Sequence, residues 1–303
     1  MSRAFQTKKK LGQHFLVNTD ALNAIVEALE IQPDDDLLEI GPGIGFLTRL
    51  LCEKAKRVTA VELDRESVDY LKALKIENLD IKHGDFLAYE ILSRRFREPG
   101  SQAWKEQDKE RRPLKIAGNV PYQITGLILG HLLGEIGSPT EHLKHIDSIV
   151  LTVQKEVAER MVAKAGSYHY AQLSLMIAYF CKSEIVLHLP AFDFFPAPRV
   201  DSAIVRLTPL KEAPLNCRNH KLLRRVIKAG FKQRRKMLRN ALLSLGIEQE
   251  KLNQLFKELR FDPQVRAESL SLEQFAMLTD ALESEIDTHA SNNKMSGETE
   301  SDF

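Results

Sequence analysis

With 303 residues, 43% hydrophobic and 28% charged, the chain carries ample apolar material for a core and is longer than one average domain needs, which predicts a large domain joined to a smaller one. Its 43 basic and 42 acidic side chains leave a net charge of +1 that is uninformative as a sum, and Cys52, Cys181 and Cys217, odd in number and without C-x-x-C pairing, exclude a disulfide framework and a zinc site and fit a reducing cytoplasm. No apolar run reaches the roughly 18 residues of a membrane span, and the basic start Met1–Lys10 is not followed by a signal-peptide core, so a soluble, unexported protein is expected.

The first element is an amphipathic helix over Ala21–Leu29, started by Asn18-Thr19-Asp20. β-rich runs then follow at Leu37–Ile40, Arg57–Leu63, Leu79–Lys82, Leu114–Ala117, Ser148–Val153, Ile185–Leu189 and Ala203–Leu207. Helix-period segments at Phe46–Ala55 and Arg65–Leu74 separate the early runs, which predicts right-handed βαβ units in one mostly parallel sheet, with the last strands an antiparallel pair at one edge. Gln123–Gly134 reads as a further helix. Arg94–Pro113, with seven basic and four acidic residues around Pro99-Gly100, reads as a long exposed loop. After Pro209–Pro214 the β signal stops and three helices are expected, over Leu222–Leu245, Glu248–Leu259 and Ser271–Leu282. From Glu283 to Phe303 six acids face a single Lys294 with almost no large apolar side chain, the composition of a disordered tail.

The fold class is therefore α/β: a Rossmann-like, seven-stranded sheet over residues 1–211, with an arm over 1–17 and an insertion over 94–113, then a smaller all-helical domain over 212–283 and a tail over 284–303. Leu37-Leu38-Glu39-Ile40 runs into Gly41-Pro42-Gly43-Ile44-Gly45 and a helix, a turn at a strand's carboxyl end where backbone can approach a nucleotide-like ligand. A pyrophosphate dinucleotide needs glycine at 46, where this chain has Phe46, which disfavours a dehydrogenase. Glu62, 21 residues beyond Gly41 at the next strand end, is placed to accept from ribose hydroxyls, and Asp85, after the third strand, from an adenine amino group. For Asp85 alone the competing reading is a loop cap. Downstream, Asn119-Val120-Pro121-Tyr122 sets a side-chain amide, a proline carbonyl and an aromatic face at a strand's end, a set that suits an exocyclic amine on a flat base.

Lys10–Leu16, Glu39–Gly43, Val61–Asp64, Gly118–Tyr122, Gln154–Val157 and Phe194–Ser202 together resemble the motifs of the ribosomal RNA adenine N6,N6-dimethyltransferases, and the likeness runs from about Lys8 to Leu282. Within that family the chain is most similar to the bacterial small-subunit enzymes. The resemblance implies S-adenosylmethionine as cofactor, held by His14, Leu16, Gly41, Glu62, Asp85 and Asn119, and dimethylation of N6 on two adjacent adenines near the 3′ end of 16S ribosomal RNA, linked to small-subunit maturation. It also implies a cytoplasmic monomer acting on the small subunit or its precursor. Val120 stands where the family usually has Leu and keeps the apolar spacer.

Adenine N6 is a poor nucleophile, so positioning supplies most of the help. The Asn119 side-chain oxygen and the Pro121 carbonyl are expected to accept the two N6 hydrogens, Tyr122 to stack on the base, and Phe194 to stack on its opposite face while Phe195 fills core. No metal is required; His142 and His145, at helical spacing, have no accompanying carboxylate or thiol cluster. Arg218–Arg239 holds ten basic and no acidic residues, and Lys232, Arg234, Arg235, Lys236 and Arg239 are expected on one helix as a phosphate-binding face, with Lys8, Lys9 and Lys10 adding to the field. Two competing functions share these features: a noncatalytic RNA-binding assembly factor and a large-subunit ribosomal RNA methyltransferase.

Overall fold

The computed structural model describes residues 13–91, 114–212 and 215–283. Lys8–Lys10, the Arg94–Pro113 insertion and the acidic stretch from 284 lie outside the described residues.

Seven strands, β1 (Asp36–Ile40), β2 (Arg57–Glu62), β3 (Leu79–His83), β4 (Leu114–Asn119), β5 (Ile146–Gln154), β6 (Cys181–Leu189) and β7 (Ser202–Pro209), form one sheet in the order β3-β2-β1-β4-β5-β7-β6. The first five run parallel, and β7 lies antiparallel between β5 and β6. Leu37, Leu38, Ile40, Val58, Ala60, Val61, Ile116 and Ala117 are buried, as expected of parallel strands covered on both faces by crossover helices. The helices of this part of the chain are α1 (Thr19–Ala28), α2 (Phe46–Lys54), α3 (Arg65–Ala73), α4 (Thr125–Leu133) and α5 (Lys155–Val162), of which α2, α3 and α4 connect successive parallel strands. The Asn18 side chain starts α1 by accepting the amide hydrogens of Asp20 and Ala21, at 2.9 and 3.1 Å, and α1 then buries Ala21, Leu22 and Ile25.

The order reverses direction between β1 and β4, whose carboxyl ends lie side by side with Ile40 opposite Gly118. Gly41 and Asn119 are therefore neighbours across the point where open α/β sheets leave a crevice for ligands. A separate two-stranded pairing sets Phe15 opposite Phe195 and Leu16 opposite Phe194.

The chain divides into two compact units, the first of which contains the whole sheet. The second takes in 135–139 and 163–180 as well as the chain from Glu212. That corrects the expectation of a single cut after residue 211. Long-range contacts decide it: the Tyr170 hydroxyl donates to the Leu270 carbonyl at 3.0 Å, and the Gly166 amide to the Glu268 carbonyl at 2.7 Å. Within the second unit lie α6 (Gln172–Phe180), α7 (His220–Lys232), α8 (Leu238–Leu242), α9 (Gln249–Glu258) and a helix over 272–283. The expected single helix Leu222–Leu245 is broken after Lys232, because the apolar face of α7 (Leu223, Val226, Ile227, Gly230) has no continuation in Gln233–Lys236. There the chain makes a turn, and the Leu238 amide donates to the Val265 carbonyl at 2.8 Å instead of continuing the helix.

Candidate functional site

At the end of β1, Gly41 adopts φ +64°, and a Cβ built on it would have nothing within 4 Å, so its upper face is open space. Gly43 is a different case. It also has positive φ, +58°, but a Cβ there would lie 2.6 Å from the Phe15 ring, so this glycine seats the N-terminal arm on the turn.

Glu62, at the end of β2, is only 6% exposed and receives the Gly43 amide on Oε2 at 2.9 Å and the Asp64 amide on Oε1 at 2.7 Å. The carboxylate thus ties the glycine turn to the second strand and keeps acceptor capacity for hydroxyl donors. Burial raises its pKa, backbone hydrogen bonds from Asp64, Gly43 and Leu63 pulling the other way. Next to it is a residue that the sequence reading did not single out. Glu39, 2% exposed near the end of β1, has its carboxyl pushed up to about 8, chiefly by burial, with the Thr48 hydroxyl pulling the other way and the nearby Glu62 charge adding to the rise, and its Oε2 has no hydrogen-bond partner among the described residues. A lone carboxylate inside the apolar run Leu37-Leu38-Glu39-Ile40 was the available signal. Asp85 is exposed, and its Oδ1 accepts the Leu87 amide at 2.9 Å, so it does cap the short turn Phe86–Ala88.

Asn119 ends β4, and its side-chain nitrogen donates to the His14 carbonyl at 2.6 Å. That bond settles which way the amide faces and leaves Oδ1 as an acceptor. The Tyr122 hydroxyl shares a 2.6 Å hydrogen bond with Ser202 at the start of β7, and burial raises its pKa. The His14 ring lies nearly parallel to the Tyr122 ring, 14° between planes and 6.0 Å between centroids, while its Nδ1 is 2.7 Å from the Pro196 carbonyl oxygen. His14, Asn119 and Tyr122 are thus brought together beside the open glycine turn.

Two expected placements are corrected, and that of Leu16 is narrowed. The Pro121 carbonyl accepts the Ile124 amide at 3.2 Å and the Thr125 hydroxyl at 3.4 Å, so it faces the start of α4, whereas the Val120 carbonyl takes no hydrogen bond from the described residues. Leu16 sends its side chain into the core cluster with Leu22, Ile25 and Leu47, leaving only its backbone for a cofactor. The exposure of Phe194 and Phe195 is the reverse of that expected: Phe194 is 3% exposed in that same cluster, and Phe195 is 63% exposed. Side chains alternate along a strand, and pairing of Phe194 with Leu16 sends both inward.

In the second unit, Lys232 closes α7, while Arg234, Arg235 and Lys236 sit in the following turn and Arg239 on α8. Arg234 is bound to Glu268 at 2.7 Å and to the Tyr168 carbonyl at 2.8 Å, and Arg239 to Asn253 at 3.0 Å, so these two help to hold their own fold. Lys232, Arg235 and Lys236 are exposed. Lys221, Arg225 and Lys228 are exposed as well and, with Lys232, make a basic stripe along α7 at helical spacing that the residue-by-residue reading passed over.

Among the described residues no cluster of three or more His, Cys, Asp or Glu could hold a metal ion, and no helix is long and apolar enough to cross a membrane. The strand order and a ligand turn facing an Asn-x-Pro-Tyr corner define a Rossmann-like methyltransferase. The family model for ribosomal RNA adenine dimethylases matches residues 4–284, and the chain belongs to that family. It is 42% identical over 278 residues to ribosomal RNA small subunit methyltransferase A of Nostoc sp., covering 91% of this chain and 97% of the relative. To the protein of the same name from Lachnoclostridium phytofermentans it is 38% identical over 288 residues, 93% of each chain. Among solved structures it is similar to a dimethyladenosine transferase from Plasmodium falciparum (TM-score 0.67, 25% identity, 88% of this chain and 96% of that one). A likeness to the 23S rRNA methyltransferase ErmE has TM-score 0.65 at 25% identity, over 89% of this chain and 99% of that one.

Proposed function

We propose that this enzyme uses S-adenosylmethionine to dimethylate N6 of two adjacent adenines near the 3′ end of 16S ribosomal RNA, as a cytoplasmic monomer acting on the maturing small subunit. The observation that carries the reading is the Asn119 amide, whose oxygen is left as the acceptor beside the open face of Gly41.

The residues fit that cofactor. Open space over Gly41, the acceptor capacity remaining on Glu62 and the unpartnered Glu39 Oε2 provide a cradle, a hydroxyl acceptor and a buried carboxylate suited to a cationic ligand. When bound, the sulfonium group supplies an electrophilic methyl carbon. Glu62 would accept hydrogen bonds from the ribose hydroxyls, Asp85 would receive the adenine amino group on Oδ2, and His14 with the Leu16 backbone would hold the ligand from the arm. For the target base, Asn119 Oδ1 and the Val120 carbonyl accept the two N6 hydrogens, the latter replacing Pro121. Both acceptors concentrate electron density on the nitrogen and orient its lone pair. Tyr122, held by Ser202, offers a stacking face. Methylated N6 is cationic and sheds its proton readily, so the site needs no strong base. Lys232, Arg235 and Lys236, aided by Lys221, Arg225 and Lys228, contact RNA phosphates.

The large-subunit reading draws on the likeness to ErmE, at 25% identity, and is outweighed by the 38% and 42% identities to small-subunit relatives. A noncatalytic assembly factor would have no use for the oriented Asn119. The test is incubation with radiolabelled cofactor and under-methylated small subunits, followed by mapping of the labelled base. Label on N6 of the adjacent adenines is expected; label confined to large-subunit RNA or to protein would refute the assignment.

A further inference from the structure

The loop between β6 and β7 displays two phenyl rings to solvent, Phe192 at 79% and Phe195 at 63% exposure. Large apolar side chains on a floppy loop need no explanation, but this loop is pinned along its length. The Ala191 amide donates to the Asp201 carboxylate at 3.1 Å, Asn18 donates to Asp193 at 2.8 Å, the Val17 amide donates to the Asp193 carbonyl at 2.9 Å, and Phe195 pairs with Phe15. Both carboxylates of the loop are thereby used internally, and its remaining charged side chain, Arg199, is exposed, as is Lys155 where the Lys155 amide meets the Asp201 carbonyl at 3.0 Å. A preorganised aromatic pair with an exposed cation on the same loop matches a single-stranded nucleic acid, which offers flat base faces and phosphates together.

The location selects which bases. Phe195 is opposite Phe15, the next residue is His14, and the His14 ring lies over Tyr122, where the target adenine is to be held. We propose that Phe195, with Phe192 beyond it, is a stacking platform for the unpaired base next to the target adenine, keeping the RNA strand splayed while N6 is presented. This rests on the RNA-methylating reading above and deepens it: the ring that sequence logic assigned to the core grips the neighbour, and the occupant is an RNA base.

The test uses the full-length protein with under-methylated small subunits and with a matching RNA hairpin carrying 2-aminopurine in place of the adenine adjacent to the target. The variants are Phe195→Ser, Phe192→Ser and, as an aromatic control, Phe195→Trp. Stacking on an aromatic ring quenches 2-aminopurine, and removal of one stacked base contact weakens binding by about tenfold or more. Expected are an RNA KM raised about tenfold and lost quenching in Phe195→Ser, a smaller effect of the same kind in Phe192→Ser, recovery of both in Phe195→Trp, and unchanged affinity for S-adenosylmethionine by calorimetry. Native KM and quenching in Phe195→Ser, with the unsubstituted enzyme active, would overturn the platform alone. Weakened binding to whole subunits but not to the hairpin would overturn it in favour of a protein contact. An unsubstituted protein that labels no small-subunit RNA would sink the methylating reading and the platform with it.

Discussion

Replacing Glu39 by Gln should make the protein more stable, and increasingly so as pH rises. The carboxyl is buried, with Oε2 unpartnered, and its pKa is raised from 4.5 to about 8. A raised acid is neutral in both folded and unfolded chains below 4.5, so the native protein suffers no penalty there. Above 4.5 the unfolded chain ionises while the folded one resists, and stability falls until the folded group itself ionises near 8. The slope is about 1.4 kcal/mol per pH unit, so by pH 7 the burden amounts to ~3 kcal/mol. Gln cannot ionise, so urea unfolding of variant and native protein from pH 4 to pH 9 should give a stability difference that grows across that window and then levels off. The new amide adds a pH-independent offset that leaves the slope intact, and Glu62, also raised mainly by burial, contributes to both curves. Parallel curves would refute the reasoning. Cofactor should in turn bind the variant more weakly, because a cationic ligand near Glu39 would recover the ionisation that folding opposes.

Asn119→Ala is expected to lower methyl transfer by about a hundredfold or more in a filter-binding assay, the scale of losing one group that meets developing charge. Its unfolding free energy should fall only by what one hydrogen bond to His14 contributes, about 1 kcal/mol. Tyr122→Phe keeps the ring and loses the Ser202 bond, so turnover should stay within about tenfold of native, whereas Tyr122→Ala should be inactive; equal activities would remove stacking from the account. Replacement of Lys232, Arg235 and Lys236 by Ala should weaken RNA binding and flatten its salt dependence by roughly 0.9 in slope per lost phosphate contact, while Arg234→Ala should chiefly lower thermal stability through loss of its Glu268 and Tyr168 bonds. Gly43→Ala, which combines positive φ with a 2.6 Å approach to Phe15, should cost about 1–3 kcal/mol and loosen the arm, as read by faster proteolysis near residue 13.

What could be read from sequence was whatever local pattern determines. Glycines after an apolar run, a carboxylate at the next strand end and the Asn-x-Pro-Tyr corner located the crevice, because strand ends in a parallel sheet gather on one edge. The inversion of Phe194 and Phe195 was hidden, since facing is decided by pairing with Leu16, far upstream in the chain. The Pro121 carbonyl was misjudged for a similar reason: a peptide at a helix start turns its oxygen into that helix. The break after Lys232 was visible in principle, as the apolar stripe stops at Phe231 and resumes only at Met237, but a dense run of helix-favouring Arg and Lys conceals it. The membership of 163–180 in the second unit depends on contacts such as Tyr170 to Leu270 that no spacing announces.

The bond from the Tyr122 hydroxyl to Ser202 spans 80 positions and ties the aromatic face to the first residue of an antiparallel hairpin. The tilt of that face is therefore steered by how the β6–β7 hairpin seats on β5. Substitutions along its outer edge, far from the methyl donor and the substrate motif, offer an evolutionary dial for turnover that leaves every recognisable signature untouched.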